Sequence, residues 1–134
     1  MSDVAIDSSA IVAVLEGEPE GEAILRVIEA AGRRLVGAGT MLEASIVVAR
    51  RRGEGGLVAL DALSARLAFD LVPMGSEHVS LARDAWLRFG KGRHVAGLNL
   101  GDCMSYAVAS ASGVPLLCKG EDFPNTDLNR VHLG

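Results

Sequence analysis

The chain has 134 residues, 49% of them hydrophobic but only 4% aromatic, with 13 Lys and Arg against 17 Asp and Glu for a net charge of -4. That length suits one domain able to bury roughly two-thirds of its unfolded surface, and the aliphatic bias suits helices packed on a short parallel sheet rather than aromatic base-stacking platforms. The acidic balance excludes a protein that grips nucleic acid by a broad positive field.

The first element is an apolar strand, Val4-Ala5-Ile6, closed by Asp7, and helical periodicity then covers about Ser9 to Leu15 and Glu20 to Ala31, with Gly32 as a stop. A strand at Leu35-Gly37 leads into a helix over Thr40 to Arg52. Gly53-Glu54-Gly55-Gly56 reads as a turn before a second helix, Leu57 to Ala68. Leu71-Val72 is the third strand, Ser76 to Phe89 a helix ended by Gly90, and Gly90 to Asn99 a polar loop. Gly101 to Ser112 is the last helix, stopped by Gly113, and strands follow at Pro115-Cys118 and Arg130-Leu133. Alternating strands and helices with right-handed crossovers predict an α/β fold, a three-layer α/β/α sandwich with a central, mostly parallel sheet in a single domain over residues 1–134.

MSDVAID lacks the pattern of a signal peptide, and no run approaches the roughly 18 apolar residues of a membrane span, so a cytoplasmic protein is expected. Cys103 and Cys118 have no metal-type spacing and sit in apolar stretches, as small hydrophobes do.

Asp7, Glu43, Asp102 and Asp122 each fall just after a predicted strand or near a predicted helix start. Taken singly, each has an ordinary reading. Asp7, followed by Ser8 and Ser9, is a helix cap. Thr40-Met41-Leu42-Glu43 fits a capping box. Asp102 favours the positive end of a helix, and Asp122 suits a turn. Capping has no reason, however, to put all of them at one edge of the sheet, the edge where open α/β folds bind ligands. Carboxylates gathered there repel one another unless a divalent cation neutralises them, and hard oxygen donors without a Cys or His cluster favour Mg²⁺, with Mn²⁺ as the alternative, over zinc. Phosphodiester hydrolysis is the chemistry that needs such a site.

Val4-Ala5-Ile6-Asp7-Ser8-Ser9-Ala10, Glu43 in its helix, Leu98-Asn99-Leu100-Gly101-Asp102-Cys103 and Leu116-Leu117-Cys118-Lys119-Gly120-Glu121-Asp122-Phe123 together resemble the PIN-domain ribonucleases, most closely their VapC-type toxins. The similarity runs in order over essentially the whole chain. It implies a PIN-like fold and a metal-dependent endoribonuclease, the toxin of a type II toxin-antitoxin module, with Asp7, Glu43, Asp102 and Asp122 as the acidic pocket. Mg²⁺ would be held mainly by Asp7 and Asp102, with Glu43 and Asp122 completing the shell. The family's hydroxyl residue corresponds to Ser8 or Ser9, since this chain has Ser-Ser where many relatives have Thr-Ser, and Asp127 is a further counterpart or else a turn residue. Hydrolysis by water would leave a 5′-phosphate and a 3′-hydroxyl. The resemblance also implies an RNA substrate, a VapB-type antitoxin whose basic side chain enters the acidic pocket, and a homodimer.

Lys91 and Arg93 ahead of Asp102, and Lys119 ahead of Asp122, are candidates for phosphate contacts, against the ordinary reading of solvated loop residues. Arg50-Arg51-Arg52 is read as compensation of a helix dipole, and Trp86 as core or subunit packing. The early helices, Ile11 to Leu15 and Ile24 to Ile28, look more apolar than one buried stripe requires, which suggests partner contacts. Two other readings stand against the ribonuclease. One is an inactive PIN-like module that binds only an antitoxin. The other is a phosphate-signalling receiver domain, which normally carries an acidic pair after its first strand, whereas Asp7 is followed by two serines.

Overall fold

The computed structural model describes residues 2–120, 123 and 126–133. Four parallel strands form one sheet in the order β3-β2-β1-β4, with β1 at Val4–Ile6, β2 at Arg34–Gly37, β3 at Asp70–Val72 and β4 at Leu116–Leu117. Ala5 pairs with Leu35 on one side and Leu116 on the other, so β1 is central and every residue of it is buried. The chain steps outward from β1 to β2 to β3, then returns to the far side of β1 for β4. The order therefore reverses at β1, and in open α/β sheets the crevice beyond the strand ends at such a reversal is where ligands bind.

The period-two alternation of each strand sorts its side chains into two cores. Val4, Ile6, Val36 and Leu117 face α1 (Ser8–Leu15), α2 (Gly21–Ala30) and α3 (Ala38–Arg66), meeting Ile11, Ile24, Ile28, Val48 and Leu60. Ala5, Leu35 and Leu116 face α4 (Ser76–Phe89) and α5 (Leu100–Ser112), meeting Ala85, Phe89, Tyr106 and Val108. The first two crossovers put their helices on one face, and the return to β4 puts α4 and α5 on the other, as right-handed connections require. The result is the expected three-layer sandwich.

Three details differ from expectation. The two helices expected either side of Gly53, labelled together α3, are present and meet at a kink, but the expected four-residue turn contracts to Gly53, whose φ of 63° is a conformation glycine adopts without steric cost. α3 also begins at Ala38 with Gly37 as its N-cap, so Glu43 lies beyond the first turn and Thr40 is not a cap. The strand expected at Arg130-Leu133 contracts to a single parallel bridge between Leu116 and Arg130. Among the described residues no helix is long and apolar enough to cross a membrane.

The apolar surplus of the early helices is internal. Ile11, Val12, Ala13, Ile24 and Ile28 are buried, because α1 is enclosed between the sheet, α2 and α3. On α3, α4 and α5, by contrast, Leu42, Ile46, Val79, Trp86 and Leu100 stand exposed around two adjoining clefts that share Leu100 and Met104.

Candidate active site

Asp7 leaves the carboxyl end of β1 and caps α1, its Oδ2 accepting from the Ser9 amide at 3.1 Å. The capping reading is thus correct for Asp7, and it does not compete with a site role: the cap fixes the carboxylate at the sheet edge, only 3% exposed. Its second oxygen, Oδ1, accepts from the Ser105 hydroxyl on α5. Ser105 lies three residues beyond Asp102, on the same side of the helix, so this contact sets Asp7 beside the turn that carries Asp102.

Asp102 is the third residue of α5. It forms a reciprocal box with Asn99: Asp102 N donates to Asn99 Oδ1 at 2.9 Å and Asn99 N donates to Asp102 Oδ2 at 3.1 Å. Asn99 is thereby a site-shaping residue that the sequence reading passed over. The box anchors the first turn and fixes the rotamer of the acidic side chain.

Glu43 reaches the same place from α3. The Ser8 hydroxyl donates to Glu43 Oε1 at 2.7 Å, and the carboxylate lies against α5 where Gly101 has no side chain. A Cβ at Gly101 would stand 2.5 Å from the Glu43 carboxyl carbon. The two serines divide the work: Ser8 faces Glu43, whereas Ser9 Oγ accepts from the Lys119 amide at 2.9 Å and ties α1 to the segment after β4. Asp122, expected to be the fourth acid, lies outside the described residues. Among the described residues no group of three or more His, Cys, Asp or Glu is close enough to share one metal ion.

The structure sets the remaining candidates around this edge in different ways. Asp127 is engaged by Tyr106 Oη and Arg88 Nη2, each at 2.7 Å, and so fastens the C-terminal segment to α4 and α5. Burial and the neighbouring Asp127 push the Tyr106 phenol up to about 12. Burial works to raise Asp127, but the hydrogen bonds from Tyr106 and Arg88 outweigh it and hold the carboxyl below its ordinary range. The Lys119 ammonium is paired with Glu18 and, at 3.2 Å, with Glu20. Lys91 is exposed, while the Arg93 guanidinium rests 4.9 Å over the Trp86 ring and donates to the Leu87 carbonyl at 3.3 Å. Trp86 is 43% exposed and is not a core residue.

A PIN domain model matches residues 4–129, nearly the whole chain. The chain is 47% identical over 128 residues to ribonuclease VapC30 of Mycobacterium tuberculosis, covering 96% of this chain and 98% of that one. It is 45% identical over 127 residues to the ribonuclease VapC of Mycolicibacterium smegmatis, covering 95% and 98%. Its fold is similar to that of M. tuberculosis VapC20, described as a sarcin-ricin loop cleaving toxin, with a TM-score of 0.76 at 17% identity over 96% of this chain and 98% of that one. It is also similar to VapBC2 of Rickettsia felis, solved bound to a DNA fragment of its promoter, with a TM-score of 0.75 at 11% identity over 96% of each chain. The chain belongs to the PIN-domain family, in its VapC ribonuclease branch.

Proposed function

We propose that the chain works as a single PIN domain, an endoribonuclease toxin of a type II toxin-antitoxin module that hydrolyses RNA phosphodiester bonds with the help of Mg²⁺ or Mn²⁺. The observation that carries the reading is Asp7: a carboxylate 3% exposed at the reversal point of a parallel sheet, with the neutral Ser9 amide and Ser105 hydroxyl as its hydrogen-bond partners. These donors orient its charge without cancelling it, and a buried charge of that kind calls for a cation.

The donor set suits a hard divalent ion. Mg²⁺ ordinarily takes one or two carboxylates and fills its remaining positions with water and substrate phosphate, so Asp7 and Asp102 suffice as protein ligands. When bound, the ion would supply Lewis-acid polarisation of the phosphate and water made nucleophilic at neutral pH. Glu43, held by Ser8, and Asp122 would orient the attacking water and balance the charge. Ser9 ties Lys119, just beyond β4, to the start of α1.

The free protein is then a growth inhibitor located in the cytoplasm, and a VapB-type antitoxin silences it by placing a basic side chain in the acidic pocket, as Coulomb attraction favours. Two copies associate through the apolar strip of Leu42, Ile46, Val79, Trp86 and Leu100. A Leu100→Glu variant that sediments as a monomer, beside a dimeric parent, would bear this out. Expression without antitoxin that leaves growth and RNA intact would contradict the toxin reading.

The decisive experiment incubates the protein, Asp7→Ala and Asp102→Asn with total RNA in Mg²⁺ or EDTA and sequences the new 5′ ends. Metal-dependent cuts bearing 5′-phosphates, absent from both variants, are expected. Cleavage that persists in EDTA or in the variants would refute the mechanism, and an inert parent would leave only a binding module.

A further inference from the structure

The buried polar or charged side chains among the described residues are Asp7, Thr40 and Ser105, at 3%, 1% and 2% exposure, and they form one contiguous group. Ser105 Oγ donates to Asp7 Oδ1, and Thr40 Oγ1 lies 3.3 Å from Ser105 Oγ. A hydroxyl has one proton. Ser105 directs its own at the carboxylate, so Thr40 must be the donor of the second bond. The direction is therefore fixed: Thr40 on α3 donates to Ser105 on α5, which donates to Asp7 at the end of β1. Three elements from both layers of helices and the sheet converge on one carboxylate oxygen.

Neither hydroxyl is needed for packing. Ser105 sits among Cys103, Ala107, Val108 and Ala109, where Ala would fill the helix without a polar group to satisfy, and Val would match the shape of Thr40. Burying two hydroxyls costs free energy that their bonds only offset. What they add is direction, because a chain of buried hydrogen bonds polarises along its length and locks the rotamer at its end. The Ser9 amide holds Oδ2 in the same way. Both oxygens are thus fixed, each with a lone pair still available.

We propose that Ser105, backed by Thr40, is a positioning residue that sets the Asp7 carboxylate for the divalent cation. The inference rests on the metal reading above and extends it to residues that touch neither substrate nor ion. Outer-sphere partners of metal ligands typically matter ten- to hundred-fold in metal affinity.

Calorimetric titration of Mn²⁺ into metal-free full-length protein tests it, with thermal melts in EDTA alongside. Ser105→Ala is expected to weaken Mn²⁺ binding by about ten- to hundred-fold while melting as a folded protein. Thr40→Val, which keeps the shape and leaves Ser105 in place, is expected to weaken it by a smaller factor, and Thr40→Ser to restore it. A folded Ser105→Ala that binds like the parent overturns the proposal. So does a lowered melting temperature with unchanged affinity in both variants, since that would be packing alone. Where Ser105→Ala does not fold, Thr40→Val against Thr40→Ser gives the same comparison. A parent that binds no Mn²⁺, or an Asp7→Ala variant that binds as well as the parent, overturns the metal reading itself and is told apart by appearing without any change at Ser105.

Discussion

Ser8 Oγ donates to Glu43 Oε1 at 2.7 Å, joining the start of α1 to α3 across 35 residues of chain, while its neighbour Ser9 turns to the Lys119 amide instead. Two adjacent serines with the same chemistry therefore have different tasks, and their substitution should separate activity from stability. Ser8→Ala leaves the Glu43 carboxylate without its hydroxyl donor and is expected to slow RNA cleavage about tenfold or more, at a stability cost of about 1 kcal/mol. Ser9→Ala is expected to affect the melting temperature at least as much and cleavage less. Rate measurements and thermal melts on both variants check this, and equal losses of rate would undo the division of labour.

Gly101 gives a sharper separation. Its missing side chain is what lets Glu43 lie against α5, since a Cβ there would press on the carboxylate and not on backbone. The end of a Glu side chain moves easily. Gly101→Ala should therefore keep the fold, with alanine's better helix propensity contributing up to about 1 kcal/mol, yet displace Glu43 from Ser8. Expected is a protein as stable as the parent or more so, with cleavage reduced by at least tenfold. Retained cleavage in a stable Gly101→Ala variant would show that Glu43 need not sit where the structure holds it.

The legibility of these features in the sequence was uneven, for physical reasons. Asp7 stood out because the pattern switches from a strand's period to a helix's at that residue, and a polar group there must cap something. The four strands and the sandwich followed from the same alternation. Glu43 was harder: Thr40 to Glu43 imitates a capping box, whereas α3 starts at Ala38 and Thr40 is buried against Ser105. The site role proposed for it rests on the family resemblance and not on its spacing. Ser105 carried no signal, because one Ser among small helical residues looks like any other and its partner Asp7 is 98 residues away. The grip of Glu18 on Lys119 spans 101 residues and was equally hidden. The apolar early helices were misread as partner surface because a helix enclosed on all sides has no polar stripe, and only tertiary packing distinguishes it from a helix with a sticky face.

Asp102→Asn tests ligand against cap. Asn can still accept from the Asn99 amide, so the box survives. Losing the charge forfeits about 0.3–1 kcal/mol of interaction with the dipole of α5, and relief from the neighbouring carboxylates offsets a similar amount. In EDTA the melting temperature is therefore expected to move by less than about 4 °C. Adding Mg²⁺ should raise the parent's melting temperature, as any ligand that binds only the folded state does, and leave the variant's unchanged. Cleavage by the variant should be undetectable. A variant melting far below the parent in EDTA would make Asp102 chiefly an anchor of α5.

The latch of Tyr106, Asp127 and Arg88 predicts how stability depends on pH at both extremes. Burial, with Asp127 beside it, raises the Tyr106 phenol to about 12 in the folded protein, above the ordinary value of about 10 that the unfolded chain has. A raised folded value means that its stabilisation is complete below about pH 10 and is lost as pH climbs through 12. Asp127 has the opposite sign. Its burial is outweighed by hydrogen bonds from Tyr106 and Arg88, its folded value is lowered, and its contribution is present above the ordinary carboxylate range and lost as pH falls through the folded value. Tyr106→Phe should cost about 1 kcal/mol at neutral pH through the lost hydrogen bond and flatten the alkaline decline. The part that remains belongs to Cys103, whose thiol burial pushes up to about 11, and to Lys119, which its hydrogen bonds to Glu18 and Glu20 raise. Asp127→Asn should flatten the acid decline and lessen the alkaline one, because it removes the carboxylate that, after burial, raises the phenol. Melting temperatures across the pH range, paired with ultraviolet difference titration of the phenol, provide the check. An alkaline slope unchanged in Tyr106→Phe would mean that the C-terminal segment is held to α4 and α5 by packing and not by this latch.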